Sequence, residues 1–424
     1  MKFIGYDLGA TLKLPFVKNV IHTLASKWIT ILIGLVPVML VTRALGPEGK
    51  GKYALIIQTI GVLMQLSNLG LHSSNTYQVS KNRNLLPKLY TNSIAWIIST
   101  SGLAFALFAF ANYLYPTKVS MFQGGFVYIA IGTLAYFTSI VGQNLNIAID
   151  NIRKVNILNI VAKAITLVLI VVLYYEKNLT LFYAIRIAIL EFTILGIANF
   201  VIARRSFEKM VYKIDFNVLK PTFTYGLRIY AIGLLGYMVI RSDVYLIKYY
   251  LGDGAVGYYS SAVQIIDQIS IFAVVISSLL MPKLTSEMDP TERYRLNKRS
   301  FNHLLLIMLL GCATAFILSE HIILILFGKE FLAAVASFRV LLLAIFFLSL
   351  TTSMSQYLAS IGLPSRLIFC WIIVFFVNIT FNKFFIPEYG EIGAAYSSLI
   401  SYFIIFICVI QMVYRHGKKI PKQN

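Results

Sequence analysis

Apolar stretches of about twenty residues recur along the whole chain, separated by short polar gaps. A helix rises about 1.5 Å per residue, so about twenty residues cross a hydrocarbon core about 30 Å thick. Twelve such stretches are present, at 18–41, 53–74, 90–113, 126–149, 157–175, 181–203, 222–250, 256–281, 301–327, 331–358, 367–385 and 393–414. The ninth and tenth are separated only by Gly328, Lys329 and Glu330, which demands a tight helical hairpin. The pattern predicts an all-α polytopic membrane protein with about 12 transmembrane helices in two six-helix bundles. The bundles are expected over 1–203 and 222–424, joined by a cytoplasmic linker over 204–221.

The two halves share a signature. Leu45, Gly46, Gly51, Tyr53 and Gln58 recur about half the chain length later as Leu251, Gly252, Gly257, Tyr259 and Gln264. Six helices per half would insert both halves in the same orientation, a repeat about an axis along the membrane normal. All four glycines are expected to serve tight turns. Gly46 to Lys52 also fits the opening of a phosphate-binding loop, but Tyr53 stands where Ser or Thr should hold magnesium. The stretch follows no strand, and ATP binding is set aside.

Composition agrees with the pattern. Hydrophobic residues make up 58% and charged residues 13%, with a mean hydropathy of +0.77; soluble domains carry about a quarter charged residues. The net charge of +20 does not indicate nucleic acid, because the cations lie in the gaps between apolar runs. There they read as topology signals and contacts to anionic lipid. Lys and Arg at the termini and in the even-numbered gaps outnumber those in or bordering the odd-numbered gaps by nearly three to one. Both termini are therefore expected in the cytoplasm. The first run is long enough to be a retained helix rather than a cleaved signal, with residues 1–15 along the cytoplasmic surface. No gap exceeds about twenty residues, which leaves no room for a soluble catalytic domain and argues against an enzyme. Cys312, Cys370 and Cys408 lie inside apolar runs, and the five histidines are dispersed. No metal site is expected from them.

Nine charges inside the spans are candidates for function: Lys27, Lys163, Arg186, Arg228, Arg241 and Arg339, with Glu191, Asp243 and Asp267. Each costs roughly 2.5–3.5 kcal/mol at a helix centre on insertion scales. They are expected to face one another or a water-filled cavity whose excess of cations suits an anionic ligand. Lys27 and Arg228 are near enough to the cytoplasmic ends to snorkel. Arg241 and Asp243 point to different faces of one helix. Lys163 and Glu191 lie deepest, on consecutive helices. Polar residues recur at helical spacing at Ser139, Gln143, Asn146 and Asp150, and at Asn156, Asn159, Lys163 and Thr166. Further stripes run through Ser260, Gln264 and Asp267, and through Gln58, Gln65, Asn68 and His72. Such stripes either line an aqueous path or bond helices together.

The run Arg241-Ser242-Asp243-Val244-Tyr245, followed by Leu251-Gly252, Val256-Gly257-Tyr258-Tyr259 and Met281-Pro282-Lys283-Leu284, resembles the O-antigen and polysaccharide flippases. These belong to the multidrug/oligosaccharidyl-lipid/polysaccharide exporter superfamily. Arg43 to Tyr53 and Ile386-Pro387-Glu388-Tyr389-Gly390 to Ala395 carry the same likeness. The resemblance implies two bundles around a central cavity that opens alternately to either side of the bacterial inner membrane. It implies transport of an undecaprenyl-diphosphate-linked oligosaccharide, and the cations Lys27, Lys163, Arg186, Arg228, Arg241 and Arg339, read from the charges inside the spans, are expected to receive the diphosphate. It also implies proton or sodium coupling, with Glu191, Asp243 and Asp267 as the groups concerned, and no other cofactor. Membrane lipids and other polysaccharide-assembly membrane proteins are the implied partners. A cation-coupled multidrug exporter and a peptidoglycan-precursor lipid flippase of the same superfamily are the alternatives.

Overall fold

The computed structural model describes residues 2–3, 6–7, 15–114, 125–362 and 364–418. Apart from a two-residue strand pair, Lys2–Phe3 with Tyr6–Asp7, these residues are almost entirely helical. In chain order the helices are α1 (Pro15–Asn68), α2 (Leu71–Lys81), α3 (Leu86–Leu114), α4 (Phe126–Ala148), α5 (Ile152–Tyr175), α6 (Leu181–Arg204) and α7 (Phe216–Arg241). They continue as α8 (Asp243–Leu251), α9 (Asp253–Ser286), α10 (Pro290–Ile317), α11 (Ser319–Phe327), α12 (Ala334–Ser360), α13 (Arg366–Tyr389) and α14 (Glu391–Lys418). Hydrocarbon cannot satisfy a peptide group, so every spanning segment must close its hydrogen bonds within itself, as a helix does.

Among the described residues, 11 helices are long and apolar enough to cross a membrane. The first is 41 residues, from Trp28 to Asn68, and Gly46 interrupts it with φ 62° and ψ −179°. Cut at Gly46 it supplies two crossings, which restores the expected twelve. Several expected runs are broken internally. The run 53–74 breaks at Leu69 and Gly70, which both have positive φ. The run 222–250 breaks at Ser242, between α7 and α8, and 301–327 breaks at Leu318.

The chain forms two compact units, one of residues 1–44 with 56–230 and the other of residues 45–55 with 231–424. In the first, α4 is central. Phe137, Val141 and Leu145 of α4 pack with Leu89 and Ile97 of α3 and Phe200 of α6. Small residues bring α4 and α6 close: a Cβ on Gly196 would stand 3.1 Å from the Thr138 side chain. Asn146 Nδ2 crosses the same seam to the Asn199 carbonyl at 2.7 Å, so this member of the first polar stripe bonds helices together. Arg83 pairs with Asp150 at 2.6 Å and Lys88 with Asp215 at 2.8 Å, which collects the second, fourth and sixth gaps at one end of the unit. In the second unit, Tyr357 of α12, Trp371 and Val374 of α13, and Tyr402 and Ile405 of α14 form the core.

The glycines and tyrosines of both copies of the signature lie within the second unit, where residues 45–55 join residues 251–264, while Gln58 belongs to the first. Gly46 and Gly252 adopt the same conformation, φ 62° with ψ −179° and φ 89° with ψ −172°. That region is essentially closed to residues with a Cβ. Gly51 and Gly257 do something else than the expected turn. Both are helical, and a Cβ on Gly51 would lie 1.9 Å from the Asp253 carbonyl oxygen. A Cβ on Gly257 would lie 1.9 Å from the Pro47 carbonyl oxygen. The two copies therefore pack backbone to backbone, each through the glycine five residues after its turn. The phosphate-loop resemblance of the first copy dissolves here: Lys50 is helical and 3% exposed, and its Nζ donates to Gln264 Oε1 at 2.7 Å.

Gly51→Ala and Gly257→Ala should each destabilise the protein by more than the ~1–3 kcal/mol typical of overpacking, since the neighbour is backbone and cannot turn aside. Gly102→Ala, where nothing lies within 4 Å of the new methyl, should be close to neutral. Fluorescence-detected size exclusion after heating compares the three. Equal behaviour would refute the close-packing role.

Candidate functional site

Two polar constellations sit inside apolar helices, one in each unit. In the first unit, Lys163 of α5 and Glu191 of α6 meet across the helices at 2.6 Å. Thr166, one turn beyond Lys163, donates from Oγ1 to Glu191 Oε2 at 2.8 Å. The stem of Lys163 runs past Gly34 of α1, where an added Cβ would be 3.5 Å from the lysine Cδ. The pair expected between the two deepest charges is thus formed. It neutralises Lys163 in place, because an unpaired ammonium in this setting would be costly.

In the second unit the break at Ser242 separates two neighbours that the chain puts two residues apart. Arg241 Nη2 reaches Asp267 Oδ2 of α9 at 2.7 Å. Asp243 turns the other way and is 1% exposed. Its Oδ2 accepts from Tyr259 Oη at 2.6 Å and from Ser398 Oγ at 2.6 Å. Its Oδ1 accepts from Asn382 Nδ2 at 2.9 Å. One carboxylate therefore ties α8 to α9, α13 and α14. Asn382 Nδ2 also donates to Asn378 Oδ1 at 3.0 Å, which accepts a further bond from Ser242 Oγ at 3.2 Å.

No cation pairs with Asp243 among the described residues. Charge-assisted hydrogen bonds contribute about 1.5–3 kcal/mol each, and three of them hold the group without neutralising it. Asn382 Oδ1 and Asn378 Nδ2 are buried with no hydrogen-bond partner. Around the carboxylate stand two hydroxyls and the Asn382 amide, which turns its Nδ2 toward both Asp243 Oδ1 and Asn378 Oδ1.

The remaining expected cations do not join these constellations. Arg186 is exposed, donates from Nε to Tyr128 Oη at 3.0 Å, and lies over the rings of Tyr128 and Tyr183. Arg339 Nε donates to Ser319 Oγ at 2.7 Å, with the guanidinium over Phe316. The side chains of Lys27 and Arg228 lie outside the described residues. Sequence reasoning passed over Lys50, Tyr259, Asn378, Asn382 and Ser398. Asn378 and Asn382 did carry a signal, two amides one turn apart in a strongly apolar run.

Residues 16–288 match the model of the family described as "Polysaccharide biosynthesis protein". The chain belongs to this family. Residues 245–424 also match the "Lipid II flippase MurJ" model. A "Putative O-antigen transporter" of Shigella flexneri is 24% identical over 407 residues, covering 91% of this chain and 94% of that protein. Among solved structures, "Lipid II flippase MurJ, inward closed conformation" superposes with a TM-score of 0.76 at 14% identity, covering 94% of this chain and 90% of that one. An inward-facing multidrug resistance MATE family transporter of the MOP superfamily gives a TM-score of 0.71 at 12% identity, over 94% and 99% of the two chains. The fold is that of the MurJ and MATE proteins, multi-pass and in two halves, and the relatives are transporters and flippases rather than enzymes.

Glu191→Gln, which leaves a half-buried Lys163 unpaired, should lower thermal stability more than Lys163→Met combined with Glu191→Gln. Breaking a buried pair costs about 3–5 kcal/mol, whereas removing both charges is often near neutral. A thermal double-mutant cycle reads this out, and strictly additive changes would show that the two charges do not depend on each other.

Proposed function

We propose that this protein translocates an undecaprenyl-diphosphate-linked oligosaccharide, the repeat unit of an O-antigen or related surface polysaccharide, across the bacterial inner membrane. The family match over residues 16–288 carries this reading, and the Shigella flexneri relative supports it along most of the chain. Both termini are cytoplasmic on the distribution of Lys and Arg. Transport proceeds by alternating access. The oligosaccharide passes through the interior, and the lipid tail stays in hydrocarbon.

The paired cations fit such a task. Lys163 is held by Glu191 and Arg241 by Asp267, and a substrate diphosphate would compete with each carboxylate for its cation. Exchange of one anion for another keeps each cation paired throughout, and the released carboxylate can take up a proton or water, which lowers the cost of the step. Coupling is assigned to Asp243 in place of three equal candidates. Glu191 and Asp267 already have cations, whereas Asp243 is held only by neutral donors. Protonation, or a sodium ion taken among Asp243, Asn378, Asn382 and Ser398, changes the bonding between α8 and three other helices together. That makes the charge state of one carboxylate a lever on helix packing.

The match of residues 245–424 to the MurJ model favours a second reading, a peptidoglycan-precursor lipid flippase. The two differ in what accumulates when the protein is removed. Depletion should leave the lipid-linked surface-polysaccharide unit trapped in the cytoplasmic leaflet and strip the corresponding glycan from the surface. Accumulation of peptidoglycan precursor with lysis supports the second reading, and normal display of both glycans refutes both.

Asp243→Asn should abolish or reduce translocation at least tenfold while the protein remains folded, because an amide cannot change charge. Flipping of a fluorescent lipid-linked sugar in proteoliposomes under imposed proton or sodium gradients measures this. Wild-type rates in the variant would remove Asp243 from coupling.

A further inference from the structure

A concavity lies in the second unit, far from Asp243. It has a volume of about 880 Å³ and is formed where α12 ends, α13 begins and α14 ends. Arg366, Arg415, His416 and Lys418 line it, and no Asp or Glu does. Its floor is apolar, with Leu358, Cys370, Cys408 and Met412. Arg366 precedes Asn382 by sixteen residues on α13, about 24 Å at 1.5 Å per residue. The cavity is therefore at the opposite end of the helices from the Asp243 network.

The cations are arranged rather than scattered. His416 Nδ1 is 2.8 Å from Tyr357 Oη, and Lys418 Nζ stands over the Tyr414 ring at 4.8 Å. Among the described residues no carboxylate pairs with Arg366, Arg415 or Lys418. Tyr294 at the start of α10 packs on Tyr357, which adds the basic stretch from Lys283 to Arg299 to the same end of the unit. Topology alone asks only for cations near this end; it does not ask them to rim an apolar hollow.

We propose that this cavity binds the phosphate headgroup of an anionic glycerophospholipid of the surrounding bilayer. The guanidiniums of Arg366 and Arg415 would grip phosphate oxygens bidentately, Lys418 would add a point charge, and the apolar floor would receive the first part of an acyl chain. The volume falls in the range of specific small-molecule sites, and helix ends place it at headgroup depth. Free phosphate would use the rim but gain nothing from the floor. The site is independent of the transported substrate. Its chemistry is that of a structural or regulatory lipid.

The test uses the purified full chain in neutral detergent. Phosphatidylglycerol should raise the melting temperature saturably, and native mass spectrometry should retain the lipid. Phosphatidylcholine of the same chains and inorganic phosphate should produce no shift at the same concentration. Arg366→Gln with Arg415→Gln and Lys418→Gln should need well over tenfold more phosphatidylglycerol, at roughly fivefold per cation, while Arg366→Lys with Arg415→Lys, which keeps the charge and loses the fork, should fall between that variant and the wild type. An equal shift with phosphatidylcholine, an equal shift with phosphate, or an unchanged triple variant each overturns the proposal. Should the triple variant not fold, Cys312→Ala protein reports instead. Phosphatidylglycerol should slow maleimide labelling of Cys370 and Cys408 severalfold, and an unchanged rate overturns the site.

Discussion

Hydrocarbon offers no hydrogen bond, and the rest of this structure follows from that constraint. Backbone groups are closed within helices because nothing outside would accept them. The same rule governs side chains. Lys163 finds Glu191, Arg241 finds Asp267, Asn146 finds the Asn199 carbonyl, and Lys50 finds Gln264. Each is a polar group that would be expensive alone and is inexpensive in company. Asp243 is the exception: among the described residues it has hydrogen-bond partners in number, but none that is a cation.

Close packing supplies what polar bonds cannot. Where the repeated segments meet, Gly51 and Gly257 let one backbone touch the other, while Gly46 and Gly252 absorb the strained turns. The four glycines share a motif but divide two kinds of work. Around this common scaffold the chemistry is unequal. Arg241, Asp243 and Asp267 flank the second copy, and Leu35, Pro37 and Gly61 hold the corresponding places around the first. A duplicated frame can keep its packing residues while one copy alone acquires a titratable centre.

Much of the architecture was legible in the chain. Runs of about twenty apolar residues are sufficient evidence for spans, because the membrane imposes a fixed length. Lys163 with Glu191 was legible too, since two opposite charges deep in consecutive helices have few other partners. The breaks at Leu69, Ser242 and Leu318 were not, because Leu69 and Leu318 are apolar residues inside apolar runs and Ser242 is ordinary in a helix. Asn378 and Asn382 escaped notice for a different reason: uncharged amides are common in spanning helices, and only their convergence on Asp243 distinguishes them.

By itself, then, the sequence determined the membrane class, the count of crossings, the doubled signature and the sorting of basic residues to one side. These depend on length, composition and spacing along the chain. Only the tertiary structure decided which polar residues converge, that Gly51 and Gly257 are contact points rather than turns, that Lys50 is buried, and that three cations and a histidine rim one apolar hollow. Those facts depend on how each helix is rotated about its axis and which helix lies beside it. Rotation and neighbourhood are set by contacts between residues more than a hundred positions apart, as with Asp243, Asn382 and Ser398, and no local pattern encodes them.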